Sequence, residues 1–328
     1  MEKDDKGLKM KCTYTCNPSE TKIVLLKGGK SGEREISLLS GTACAQALRE
    51  KGFDVVEIDP AENDFIKKIE EVDPDVIFIA LHGRDGEDGC VQGMCEMMGI
   101  PYTGPGVLAS ALAMDKCKAK TFYIASGLPT PHSITLFKGE EYSIEDIVGT
   151  VGEKCVVKPA REGSALGVSI VNMPSDLESA INNAFSHDDE ILVERFVEGT
   201  EVTVAVLGNS EPEALPVIEI VPQESSDFYD FEAKYAAGGS THIIPARLSD
   251  EITQNCQRIA LSAHKALGCR GVSRSDLIVD ASGTCWLLET NTIPGMTETS
   301  LLPDAARKIG IEFNELCELL VNLAFAEN

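Results

Sequence analysis

No apolar run in this chain approaches the roughly 18–20 residues that a membrane-spanning helix requires. The first twenty residues are polar and hold no apolar core of the kind that marks a secretory signal, so they read as a tail. Cysteines number 11, an odd count, and none form a Cys-x-x-Cys pair. The close pairs Cys12/Cys16 and Cys90/Cys95 have no histidines at zinc-ligand spacing. The expectation is reduced, mostly buried thiols in a cytosolic protein, and no disulfide framework. Positive charge is also in deficit, with 29 basic against 53 acidic residues and a net charge of −24. That balance argues against nucleic-acid or anionic-membrane partners, although a local cluster of lysine, arginine and magnesium can still receive a small anion. There is no internal repeat and no low-complexity tract.

What is present is ample core material. Hydrophobic residues make up 43% and charged residues 25% of 328, enough for two or three globular domains and too apolar for a disordered chain. Strands and helices alternate from Lys22 onward. Strands at 23–26, 54–58 and 76–80 with a helix at 37–50 give the β-α-β-α-β rhythm of a doubly wound parallel sheet. Ligands bind such sheets at loops leaving the strand ends, here 27–33 and 81–89, both glycine-rich. A helical stretch at 105–126 leads to two prolines, Pro129 and Pro131, that mark a boundary. Further strands are expected at 133–137, 155–158, 168–171, 191–196, 203–207, 215–221, 272–279 and 285–290. Helices are expected at 176–185, 250–267 and 314–325.

Two familiar strings fail. Gly29-Lys30-Ser31 lacks the P-loop glycine six residues before the lysine, where Val24 stands. Gly104-Pro105-Gly106-Val107-Leu108-Ala109 follows no clear strand and has no acidic residue about twenty positions on, so a turn and helix start explains it better than a nicotinamide site.

The strongest local chemistry lies between Arg274 and Asn291. Strand alternation puts Arg274, Asp276 and Ile278 on one face, and Leu287, Glu289 and Asn291 on one face of the next strand. A two- or four-residue loop centred on Ala281-Ser282 sets Asp276 opposite Leu287 and Arg274 opposite Glu289, gathering Asp276, Glu289 and Asn291 as hard oxygen ligands for magnesium. A three-residue loop would put the two sets on opposite faces. The bland reading, an Arg274–Glu289 ion pair beside an exposed Asp276, weighs equally until Pro294-Gly295-Met296-Thr297 is added, whose backbone N–H groups can meet an anion. In the loop from Lys158 to Gly167, Lys158 supplies a point charge while Ser164 and the amides of a glycine-rich segment donate hydrogen bonds to phosphates. An ordinary hairpin loop is the alternative, but a Mg-nucleotide accounts for both segments together. His82 follows a buried strand and is either a ligand contact or a satisfied histidine. Glu33 either binds an ammonium or opposes a helix dipole. Lys234-Tyr235 follows an aromatic stretch whose bland reading is packing.

The set as a whole resembles the D-alanine–D-alanine ligases of the ATP-grasp superfamily, over nearly the whole chain from Lys22. The matching strings are Gly28 to Glu35, Leu81-His82-Gly83 with Gly86 to Gly89, Met114-Asp115-Lys116, Lys158 to Gly167, Phe231 to Tyr235, and Leu288 to Thr292 running into Pro294 to Thr297. The resemblance implies a tail at 1–21, an amino-terminal α/β substrate domain at 22–115, a central ATP-grasp domain at 116–198 and a carboxy-terminal one at 199–328. It implies ATP phosphates on Lys116, Lys158 and Lys234, adenine against Glu194, Phe196 and Val197, ribose on Glu201, and two Mg2+ or Mn2+ on Asp276, Glu289 and Asn291. Glu33 would bind the first D-alanine's ammonium in a set with Ser164 and Tyr235, with His82 near its carboxylate. Arg274 and the Gly295 amide would stabilise the oxyanion, and Ser300 would hold the second carboxylate. The implied activity is ATP-dependent joining of two D-alanines through an acyl phosphate, for peptidoglycan precursors, by a cytoplasmic homodimer with no nucleic-acid or membrane partner. A D-lactate or D-serine ligase, or a non-catalytic nucleotide-binding regulator on the same fold, is the alternative. Ala165 and Pro105 stand where serine is frequent in the family, and neither change removes a charge or metal ligand.

Overall fold

Three short strands pair in parallel, and the apolar runs of the first and third are covered on both faces, as continuous hydrophobic runs require. They are β1 (Lys22–Leu26), β2 (Asp54–Ile58) and β3 (Val76–Ile79), in the order β2-β1-β3. The structure, a computed structural model, describes residues 14–164, 166–222 and 240–326. Ile23, Leu25 and Phe78 pack on one side with α1 (Arg34–Glu50). Val24, Leu26, Ile77 and Ile79 pack on the other, with α2 (Phe65–Val72) and α3 (Cys90–Met98). The expected helix at 105–126 is two helices, α4 (Val107–Met114) and α5 (Lys116–Ala125). Asp115 breaks it: its backbone is extended and its carboxylate accepts the Lys118 N–H, capping α5. Of these helices, α2 and α3 were not read from the sequence, nor was α6 (Ile144–Val151) in the next layer.

The second sheet is antiparallel, ordered β4-β7-β5-β6 from β4 (Ser133–Phe137), β5 (Cys155–Pro159), β6 (Ser169–Val171) and β7 (Glu190–Arg195). Its apolar face packs on α6 and α7 (Leu177–Phe185). The third sheet runs β11-β10-β8-β12-β13, with β9 on the side of β8. Its strands are β8 (Thr200–Leu207), β9 (Glu213–Ala214), β10 (Ile218–Pro222), β11 (Ser240–Ile243), β12 (Val272–Val279) and β13 (Cys285–Asn291). Of the strand expected at 215–221 only 218–221 is found, in β10; residues 215–217 join no strand, and Pro216 there has no N–H for a ladder, while β9 and β11 were not expected. α8 (Asp250–Leu267) lays its expected stripe, including Cys256, Ile259, Ala263 and Leu267, on this sheet.

Each sheet lies within one of the three ranges read from the sequence, but the helices cross between them. α5 packs Ala119 and Tyr123 into the core of the third sheet. α9 (Leu301–Lys308), also not foreseen, and α10 (Phe313–Phe325) close the chain, and α10 packs Leu316, Cys317, Leu320 and Val321 against Cys44 and Leu48 of α1. Among the cysteines with described positions Cys90 alone is exposed. No helix among the described residues is long and apolar enough to cross a membrane.

Candidate functional site

A cleft of about 960 Å³ opens between the second and third sheets and is closed by α1 and the loops after β1 and β3. Fifteen of the seventeen residues singled out from the sequence line it, while Lys234 and Tyr235 lie outside the described residues, as does Ala165.

The metal-ligand segment shows how this comes about. Val279 pairs with Cys285, and Asp280 with Thr284 closes a turn around three residues, Ala281 to Gly283. That is the odd loop that would have set the acids on opposite faces. A β-bulge at Leu288 corrects the parity: Leu277 pairs with Leu287 on the core side, and beyond the bulge Asp276 pairs with Glu289 and Arg274 with Asn291. The expected pairs Asp276–Leu287 and Arg274–Glu289 are therefore wrong by two positions on β13, and Leu287 faces the core instead of sharing the acids' face. Arg274, Asp276, Glu289 and Asn291 still share the cleft face. Asp276 accepts hydrogen bonds from Thr203 Oγ1 (2.6 Å), Arg274 Nε (3.1 Å) and Nη2 (2.9 Å), and Asn291 Nδ2 (3.1 Å). The Arg274–Glu289 pair of the bland reading is replaced by Arg274–Asp276, and Asp276 is buried rather than exposed.

On the second sheet, Lys158 and Glu194 are diagonal neighbours on one face, since Lys158 pairs with Leu192 and Val156 with Glu194. Their side chains form an ion pair, and both are buried. Burial alone would push the Lys158 ammonium down, but Glu194 and then Glu289 outweigh it and hold its pKa above the ordinary lysine range. Burial would likewise raise Glu194, but Lys158 and Lys120 lower it and keep it ionised. Lys116, the first residue of α5, reaches the same space. Its Nζ donates to the Glu162 carbonyl at 2.6 Å and stands 3.9 Å from Glu289 Oε2. Phe196, with Lys154 Nζ 3.9 Å from its ring centre, Val197 and Glu201 continue the wall beyond Glu194.

The opposite end is built by loops. Glu33 occupies the position before α1 without making a side-chain cap, and it lines the cleft while its charge stands at the positive end of the helix. The Lys158-to-Gly167 loop crosses directly over it: a Cβ on Gly163 would lie 2.2 Å from Glu33 Oε1, so a larger residue there would push the Glu33 carboxylate aside. Ser164 follows with φ +50°. His82 is buried, with Nε2 3.2 Å from Ser40 Oγ and Nδ1 3.7 Å from Glu87 Oε1. Burial would lower its pKa, but Glu87 first and Glu33 after it raise it above the usual value. Ser300 Oγ lies 2.7 Å from Thr297 Oγ1 and beside Gly295, where a Cβ would meet it at 3.1 Å. Sequence reasoning missed Glu87, Thr297 and Lys120. For Lys120 a signal existed, namely its four-residue spacing from Lys116 on one helix.

Asp276, Glu289 and Asn291 offer two carboxylates and an amide oxygen on one face, the hard donor set that suits magnesium or manganese. The residues present fit such an ion.

Residues 123–322 match the family model described as D-ala D-ala ligase C-terminus, and residues 59–105 match D-ala D-ala ligase N-terminus. A D-alanine–D-alanine ligase of Pelotomaculum thermopropionicum is 49% identical, over 92% of this chain and 96% of that protein. A D-alanine–D-alanine ligase of Bacillus anthracis, solved with ATP, superposes with a TM-score of 0.81 at 31% identity, covering 93% of this chain and 97% of the other. A D-Ala:D-Ser ligase of Enterococcus faecalis superposes at 0.80 and 32% identity, over 93% and 99%.

Proposed function

The chain belongs to the D-alanine–D-alanine ligase family, and from that premise we propose that it uses ATP to join two D-alanines into D-alanyl-D-alanine. ADP and phosphate are the other products, and peptidoglycan precursor synthesis is the use. The observation that carries this reading is the convergence of Lys116 from α5, Lys158 from the second sheet, and Asp276, Glu289 and Asn291 from the third on one cleft that Glu33 and Ser300 also line.

The first D-alanine's carboxylate oxygen attacks the γ-phosphorus of ATP, the bond to the β-phosphate oxygen breaks, and an acyl phosphate and ADP result. The second D-alanine's amine then attacks the acyl carbon, loses a proton, and phosphate leaves. Lys116 and Lys158 hold the phosphates as point charges, and Lys234 is assigned beside them. Glu194, Phe196 and Val197 receive the adenine, and Glu201 the ribose. Asp276, Glu289 and Asn291 would hold the magnesium or manganese ions, which neutralise phosphate charge when bound. Glu33 takes the first substrate's ammonium, with Ser164 and Tyr235 alongside, and His82 stands near its carboxylate. Arg274 and the Gly295 N–H stabilise the tetrahedral oxyanion, and Ser300 holds the second carboxylate. Positioning and charge account for the catalysis, with no covalent role for the protein. The homodimer and the cytoplasmic location are part of this proposal.

The test is phosphate release from Mg-ATP with D-alanine, L-alanine, D-alanine plus D-lactate, or D-alanine plus D-serine, the products being identified by mass. Phosphate released with D-alanine and matched by the dipeptide is expected. A depsipeptide or D-alanyl-D-serine as main product would reassign the second substrate, and nucleotide binding without turnover would favour a regulator.

A further inference from the structure

Behind the cleft wall stands a buried lysine that the reaction scheme leaves unused. Lys120 does not line the cleft, whereas Glu194, which it touches, does. Its side chain is 3% exposed, and its Nζ lies 2.7 Å from Thr130 Oγ1, 2.9 Å from the Pro131 carbonyl and 2.9 Å from Glu194 Oε2. The Thr130 hydroxyl spends its own proton on the Leu287 carbonyl at 2.8 Å, so it accepts from Lys120. The ammonium is therefore anchored by two fixed acceptors on the 127–131 segment, and through Thr130 to β13 of the third sheet. Glu194 is held from both sides, by Lys158 through Oε1 and by Lys120 through Oε2. The Lys120–Oε2 contact, at 2.9 Å, has ion-pair distance and is itself buried, so this lysine sets the orientation of the carboxylate from behind the wall.

We infer that Lys120 is a positioning residue for nucleobase selection: it fixes the Glu194 carboxylate so that one oxygen accepts an N–H from the base. The inference rests on the reading that Glu194 meets the adenine. A carboxylate only accepts hydrogen bonds, so it suits the 6-amino group of adenine and repels the 6-oxo group of guanine. Without Lys120 the carboxylate has Lys158 as its one cation, and it turns toward that lysine and away from the base. Burial and the Lys158 charge push the Lys120 pKa down, with Glu194 opposing them.

The experiment compares MgATP with MgGTP as phosphoryl donor to D-alanine, in the full chain and in Lys120→Met, Lys120→Arg and Glu194→Gln. Lys120→Met is expected to raise KM for ATP about tenfold or more, the scale of one charged hydrogen bond, with a smaller change in kcat. The ATP-over-GTP ratio of kcat/KM falls with it, and Lys120→Arg recovers part of both. Unchanged KM and ratio with a lowered melting temperature would reduce Lys120 to a structural role and overturn the inference. If Glu194→Gln leaves the ratio unchanged, the adenine reading has failed, and separately from the positioning claim. Should Lys120→Met not fold, Thr130→Val removes one anchor while keeping the charge, and the same two readouts decide.

Discussion

Two buried histidines show how position in the fold sets the sign of a residue's contribution. His264, on α8, places Nδ1 2.8 Å from Ser273 Oγ, while its Nε2 is buried without a hydrogen bond. Burial, aided by Lys265, pushes its pKa down to about 4. The native state thus holds it neutral, and the unfolded chain takes up its proton first as pH falls. Stability is expected to drop between about pH 6.5 and 4, by about 3 kcal/mol from this group. His82 is opposite in sign, because Glu87 overcomes burial and raises its pKa. Its stabilisation is complete below the ordinary histidine pKa and fades as pH rises through the raised one. Denaturant unfolding from pH 4 to 9 should show a shallower acid slope in His264→Gln. In His82→Gln the destabilisation should be larger at pH 6 than at pH 9, and equal losses at both would remove the charged pair from the account. Both histidines stand in the sequence, but their surroundings come from segments far along the chain.

At the scale of elements, the bulge in β13 is the feature on which the candidate metal site depends. Alternation in the sequence showed that Arg274 and Asp276 share a face, and that Glu289 and Asn291 share one. It did not show how the two strands register, because an odd turn and one unpaired residue together give the parity that an even turn would give alone. Deleting Leu288 leaves Leu287–Leu277 and Glu289–Asp276 paired, so the Mg2+ requirement should persist while KM for ATP changes, Leu288 being a cleft residue. Deleting Thr290 turns Asn291 toward the core and removes the Tyr123–Thr290 and Ser275–Thr290 hydrogen bonds. Activity should then fall by about 10²-fold or more. Titrating Mg2+ in both variants checks this, and an unaltered Mg2+ response after Thr290 deletion would contradict the register argument. Asp115 is the corresponding device in the helices. Its break and cap start α5 where Lys116 enters the cleft and Lys120 follows one turn later.

Over the whole molecule, the carboxy-terminal helix is part of the amino-terminal core. Leu320, 4% exposed, packs in one cluster with Leu48, Phe53 and Phe78. Leu320→Ala should cost about 2–5 kcal/mol, and hydrogen exchange should rise in β1 and β3 as well as in α10. Faster exchange confined to α10 would show that the first sheet stands without it. The domain ranges read from the sequence hold each sheet, yet α5 packs in the core of the third sheet and α10 in a core that the first and third sheets share. Local periodicity carries no information about such partners.

The sequence by itself determined the strands of the three sheets other than β9 and β11, through apolar runs and alternation, and pointed to fifteen residues that line the cleft, through motifs whose order along the chain is specific. Tertiary structure decided the register that brings Asp276 opposite Glu289, the passage of Gly163 over Glu33, and the burial of Lys120 behind Glu194. Each of these is a contact between segments distant in sequence, so each depends on how the sheets and loops pack, which no local pattern of residue types encodes.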